Sequence, residues 1–126
     1  MCGICGWVEF DRDLGTPDAR RALAEMTATM ACRGPDDEGI WINGPVAFGH
    51  RRLAIIDLEG GRQPMTLEED RGPSLALIYS GETYNYRELR ARLVAAGHNF
   101  KTHSDTEVVL HAHAELLDRN LGRLVV

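Results

Sequence analysis

Apolar residues recur along this chain at two spacings, and each spacing predicts a kind of element. Gly3 to Phe10, rich in Ile, Trp, Val and Phe and followed by Asp11-Arg12-Asp13-Leu14-Gly15, predicts a strand that ends in a loop. Thr16-Pro17-Asp18 carries three helix-start signals: a hydroxyl for the N-cap, a proline whose φ is already set for the first turn, and an acid at the positive end of the dipole. Ala19, Ala22, Leu23, Met26 and Met30 follow at helical spacing and define one apolar face. Arg33-Gly34-Pro35-Asp36-Asp37 breaks that helix.

Gly39 to Ile42 predicts a strand entering a hairpin at Asn43-Gly44, because Asn-Gly accepts positive φ, with Val46 to Arg51 returning. Arg52 to Asp57 reads as another extended, β-branched segment. Glu59 to Pro73, with its Gly-Gly and two prolines, reads as a long polar loop, and Ser74 to Tyr79 as a strand running into Ser80-Gly81-Glu82. Asn85 is placed to cap a helix over Tyr86 to Ala96, in which Leu89 and Leu93 share a face and Gly97 supplies the left-handed stop. His98 to Thr102 predicts a short strand. Ser104-Asp105-Thr106-Glu107 has the form of a capping box ahead of a last helix reaching about Arg119. Strands in hairpins with helices grouped between them predict an α+β fold built on antiparallel sheets.

Composition narrows the function. The chain has 126 residues, 44% hydrophobic and 26% charged, within the range of one globular domain. A net charge of −5 without a basic stripe argues against nucleic acid as a partner. No run approaches the roughly 18 apolar residues of a membrane span. The first residues lack the charged and apolar regions of a signal peptide, so a cytoplasmic location is expected. Three cysteines without a secretion signal predict free thiols rather than disulfides.

One thiol occupies a chemically special position. Cys2 follows the initiator methionine, and removal of Met1 would leave a free α-amine on the residue that carries the sulfur. An α-amine titrates near pH 7.7 to 8.0 and is matched to accept a proton, while a thiol is intrinsically nucleophilic. Position alone makes Cys2 only a candidate. Cys2 and Cys5 form a C-x-x-C, but residues three apart in a strand point to opposite faces, which argues against a redox pair. Zinc would need a second paired motif, and Cys32 stands alone while His111 and His113 do not share a helix face, so no metal site is expected. Arg52 is suited to a bidentate grip on a carboxylate, Glu82 and Asp105 beside tight turns to an ammonium group, and the Gly81 N–H to a developing oxyanion. Each also has an ordinary structural reading: ion pair, solvated acid, first-turn acid, turn glycine.

The order of these residues carries more than any one of them. Met1-Cys2-Gly3-Ile4-Cys5-Gly6, Arg33-Gly34-Pro35-Asp36-Asp37 with Gly39-Ile40, Gly49 to Asp57, Gln63-Pro64-Met65, Ser80 to Arg90 and Gly97 to Val108 together resemble class II glutamine amidotransferases of the asparagine synthetase type. The resemblance implies an N-terminal nucleophile hydrolase fold, an αββα sandwich of antiparallel sheets. It implies a glutaminase in which Cys2 attacks the side-chain amide of glutamine, its own amine shuttles the proton, and a thioester forms as ammonia leaves for transfer to aspartate. Arg52 would hold the α-carboxylate, Glu82 and Asp105 the α-ammonium, Ile55 and Ile56 would line the pocket, and the Gly81 N–H would donate to the oxyanion.

Three departures qualify that expectation. The family places an asparagine, the second oxyanion donor, where this chain has Ser80. Loss of such a donor costs on the order of a hundredfold to a thousandfold in turnover, so weak activity is expected, with Ser80→Asn as the restoring change. Cys32 also replaces a histidine common in the family. The chain is expected to be truncated as well, because the family's later strands and its synthetase domain would follow Leu121-Gly122-Arg123-Leu124-Val125-Val126. No cofactor is expected in this chain, ATP and magnesium belonging to the synthetase domain. Expected partners are glutamine, a synthetase domain or subunit in trans, and a second copy paired at the open sheet edge. The alternative is a non-catalytic fragment that at most binds glutamine or a partner chain, and the weakest reading is a redox or metal-binding module.

Overall fold

The computed structural model describes residues 1–68 and 75–121. Its elements in chain order are β1 (Gly3–Val8), α1 (Pro17–Ala28), β2 (Asp37–Asn43), β3 (Val46–Arg52), β4 (Met65–Leu67), β5 (Leu75–Leu77), α2 (Tyr86–Ala95) and α3 (Asp105–Leu121). The first three strands form an antiparallel sheet in the order β1-β3-β2, and β4 and β5 form a second antiparallel pair. Helix α1 packs on the three-stranded sheet and α3 on the β4-β5 pair, with α2 against α3. This is the α+β arrangement of antiparallel sheets between helical layers that the sequence predicts.

Alternation along the strands sorts the three-stranded sheet into two faces. Cys5, Trp7, Ala47, Ile40 and Ile42 pack with Leu14, Ala19 and Leu23 to form the core under α1. His50 and Gly39 lie on the other face, turned toward the second sheet. Helix α1 begins as predicted: the Thr16 hydroxyl accepts from Ala19 N–H at 3.2 Å and Pro17 takes the first position. Its buried stripe differs, since Ala22 and Met26 are exposed while Leu23 and Thr27 are fully buried. A threonine can face the core here because its hydroxyl donates to the Leu23 carbonyl at 2.7 Å and meets the Cys5 sulfur at 3.5 Å.

The hairpin turns at Gly44-Pro45, because Asn43 still pairs with Val46. The positive φ of 52° falls on Gly44, where glycine tolerates it, and not on Asn43. Three other readings change. Residues 53–57 are not a strand, because they curl around the Arg52 side chain. The segment read as a polar loop contains β4, while residues 69–73, and Ser74 of the next predicted strand, lie outside the described residues. Residues 98–102 form no strand: the His98 N–H donates back to the Leu93 carbonyl, and further on the backbone bonds to side chains, Arg90 Nη1 donating to the Thr102 carbonyl at 2.6 Å and Glu107 accepting from Lys101 and Thr102.

Helix ends carry the same lesson. Gly97 has a φ of 101° and stops α2, but Asn85 makes no side-chain cap. At α3 the capping box is displaced by one pair: the Ser104 hydroxyl accepts from Thr106 N–H at 3.2 Å, and Glu107 reaches past Ser104. Its carboxylate accepts from Lys101 N–H at 2.8 Å, Thr102 N–H at 2.7 Å and the Thr102 hydroxyl at 2.6 Å. Behind it His98 bridges α2 and α3, with ring contacts to His111 at 3.1 Å and to Glu115 at 2.9 Å. The start of α3 is thereby held rigidly where it enters the site.

Candidate active site

Strand pairing assembles one wall of the site. Gly3 of β1 pairs with Arg51 of β3, so Cys2, one residue earlier, falls beside Arg52 and Leu53. The Leu53 N–H donates to Cys2 Sγ at 3.4 Å, and the thiol lies 3.7 Å from the Leu53 carbonyl. The Cys2 carbonyl accepts from Ser80 Oγ at 3.1 Å and from Arg33 Nε at 3.4 Å. Met1 is 80% exposed at the mouth of the cleft.

Arg52 is buried, and the chain after β3 is wound around it. Its guanidinium donates to the carbonyls of Leu58 at 2.8 Å, Ile56 at 3.0 Å and Asp57 at 2.5 Å. The convergence of these carbonyls depends on Asp57, which adopts a left-handed φ of 51°. Hydrogen bonds from Gly60 N–H at 2.9 Å and His103 N–H at 2.7 Å hold its carboxyl below the usual aspartate range. A guanidinium has five N–H donors, so three are engaged by its own loop and two remain for a ligand. Ile55 and Ile56 line the cleft beside it, Ile55 on the exposed side.

The other wall comes from the turn after β5 and from the first residues of α3. Ser80, Gly81 and Glu82 line it together with Asp105. Asp105 is buried, and its carboxylate accepts from Thr83 N–H at 3.0 Å, which fastens the turn to the helix. Glu82 is exposed. Neither its carboxylate nor the Gly81 N–H has a hydrogen-bond partner among the described residues. The cleft between the two walls measures about 390 Å³. All eight positions singled out in the sequence therefore border one cavity, with Arg52 on the β3 side and Glu82 and Asp105 on the α3 side.

Other residues that hold the walls together were not singled out for the site. Gln63 is buried: its amide donates to Thr106 Oγ1 at 3.2 Å and accepts from Tyr79 N–H at 2.5 Å, joining the segment before β4 to α3 and to the end of β5. His50 on β3 donates through Nε2 to the Tyr79 carbonyl at 3.3 Å. Burial pushes its ring toward the neutral form, which the Tyr79 bond only partly opposes. Arg33 is adjacent to the helix break, a position that gave no signal of contact with Cys2. Cys5 faces α1 while the Cys2 sulfur meets Leu53, so these two thiols diverge as the strand geometry predicts, and Cys32 is exposed. Among the described residues no group of three or more His, Cys, Asp or Glu side chains is placed to hold a metal ion. No helix among them is long and apolar enough to cross a membrane.

Comparison with known proteins identifies the family. The family described as glutamine amidotransferase domain matches residues 1–125. The chain is 48% identical over 115 residues to the glutamine-hydrolyzing asparagine synthetase 3 of Bacillus subtilis, covering 91% of this chain and 18% of that protein. It is 38% identical to a probable asparagine synthetase of Dictyostelium discoideum, covering 91% of this chain and 20% of that one. With asparagine synthetase 1 of Arabidopsis thaliana the identity is 37%, over 91% of this chain and 18% of the relative. The chain thus spans about a fifth of the length of these relatives. Matched along nearly all of its length, the chain belongs to the glutamine amidotransferase domain family.

Proposed function

We propose that the chain hydrolyses the side-chain amide of glutamine to glutamate and ammonia, with Cys2 as nucleophile after removal of Met1. The observation that carries this reading is the cleft itself, which Cys2 lines together with one cationic side chain, Arg52, and two anionic ones, Glu82 and Asp105. Glutamine is a zwitterion. Its carboxylate would take the two open donors of Arg52 and its ammonium the carboxylates of Glu82 and Asp105, which orients the distant amide carbon toward sulfur. A ligand without the amino-acid head would forgo these contacts, two of them to the buried Arg52 and Asp105, so simple amides are rejected.

In this reading the α-amine of Cys2 accepts the thiol proton as sulfur attacks the amide carbon. The Gly81 N–H stabilises the oxyanion, and the amine returns the proton to the departing ammonia. Water then cleaves the thioester and releases glutamate. The names of the relatives support asparagine formation as the use of the ammonia, with a synthetase domain or subunit as partner. Glutamine-dependent ammonia release tests the proposal: it is expected from the processed protein and absent from Cys2→Ala. Equal release from both would overturn it, and none from either would leave a chain that only binds.

A further inference from the structure

The donor geometry at Ser80 points to a role other than oxyanion stabilisation. A serine hydroxyl has a single O–H to donate. A carbonyl oxygen can only accept, so the 3.1 Å contact between Ser80 Oγ and the Cys2 carbonyl uses that one proton. The hydroxyl is therefore engaged with the backbone of the nucleophile and is not available to an oxyanion. We propose that Ser80 is a positioning residue that tethers the terminal nucleophile to the turn carrying Gly81 and Glu82. This inference rests on the glutaminase reading and deepens it.

The tether matters because of where Cys2 stands. Once Met1 is removed, Cys2 is the chain terminus, and terminal residues fray unless they are tied down. Regular pairing begins only at Gly3, opposite Arg51. Cys2 itself is held by the Leu53 backbone at its sulfur and by Ser80 and Arg33 at its carbonyl. Of the two carbonyl donors, Ser80 makes the shorter bond, and it is the one that belongs to the substrate-facing turn. The Ser80 bond thus links the nucleophile to the turn that carries the Gly81 N–H.

An oxyanion donor and a tether can be separated with an electrophile whose attack creates no oxyanion. The probe is an α-amino acid whose side chain ends in an alkyl chloride at the place of the amide carbon. The Cys2 sulfur forms the new S–C bond, the C–Cl bond breaks, chloride leaves, and the thiol proton passes to the amine or to water. A tether lowers the inactivation rate constant of Ser80→Ala about fivefold, the factor one net hydrogen bond represents, with the inhibition constant unchanged. Ser80→Thr, which keeps a hydroxyl, restores the rate. If Ser80 instead serves the oxyanion, Ser80→Ala loses glutamine turnover while its inactivation rate matches the unmutated protein, and the proposal falls. Failure of the probe to modify Cys2 in the unmutated protein would overturn the glutaminase reading itself, and the tether with it.

Discussion

Glu107→Gln tests whether the start of α3 is held by charge. The glutamate is buried, and its two oxygens accept three hydrogen bonds, from Lys101 N–H, Thr102 N–H and the Thr102 hydroxyl. Burial opposes ionisation, but these donors outweigh it, with a smaller contribution from His111, and the carboxyl sits below the usual glutamate range. Glutamine has the same shape but only one acceptor oxygen. Placed against Thr102 it keeps two bonds in weaker neutral form and turns an NH2 toward the Lys101 N–H. Bonds to a charged group contribute about 1.5–3 kcal/mol and neutral ones about 1, so even at the low end of that range the exchange costs about 3 kcal/mol. That is roughly a hundredfold in the folded-to-unfolded ratio and lowers a urea midpoint by about 1.5 M.

The pH dependence has a definite sign. The folded-state carboxyl is more acidic than the unfolded one, so its stabilisation is full above the unfolded value, near 4.3. It is lost as pH falls through the lower folded value. Urea melts from pH 7 down to pH 3 should therefore show a gap between the two proteins that is widest at pH 7 and closes toward pH 3. A gap below about 0.3 M at pH 7, or one that stays constant with pH, would refute the reasoning.

Three other changes probe separate parts of the account. His50 is kept neutral chiefly by burial, so its ring should titrate below about pH 6.5 in an NMR titration, and the stability it confers should be present above that value and lost on acidification; titration at or above 6.5 would contradict this. Gly34→Ala places a Cβ inside the van der Waals shell of the Arg51 carbonyl group, which is backbone and cannot swing away, so a loss of about 2 kcal/mol or more is expected in denaturant melts. Arg52→Lys supplies an ammonium with three donors for the three carbonyls of Ile56, Asp57 and Leu58 and leaves none for a substrate carboxylate. The KM for glutamine should rise about tenfold or more with kcat less affected; an unchanged KM would remove Arg52 from substrate binding.

How much of this was legible depends on the range of the forces involved. The Thr16-Pro17 start, the β2-β3 hairpin and the Gly97 stop were readable because caps and turns are decided within a few residues. The residues of the cleft were readable from the order of their blocks. The winding of residues 53–58 around Arg52 was not, because nothing in a run of Leu, Ala and Ile announces that its carbonyls will serve a buried cation. Thr27 was missed as a core residue for a related reason: its hydroxyl is satisfied within its own helix, which hydrophobic periodicity does not register. Gln63, Glu107 and Ser80 make their decisive bonds to backbone groups that the residue pattern does not identify as partners, at separations from 5 residues for Glu107 to 78 for Ser80.

The central claim is that Cys2, as a free N-terminal residue, attacks the amide carbon of glutamine. Rapid acid quenching of the protein with glutamine, followed by intact and peptide mass measurement, tests it most directly. The account predicts a chain lacking Met1 that carries a glutamyl thioester on the Cys2 peptide alone, absent from Cys2→Ala. A retained Met1 in protein that still releases ammonia, or an acyl group on any other residue, would contradict it.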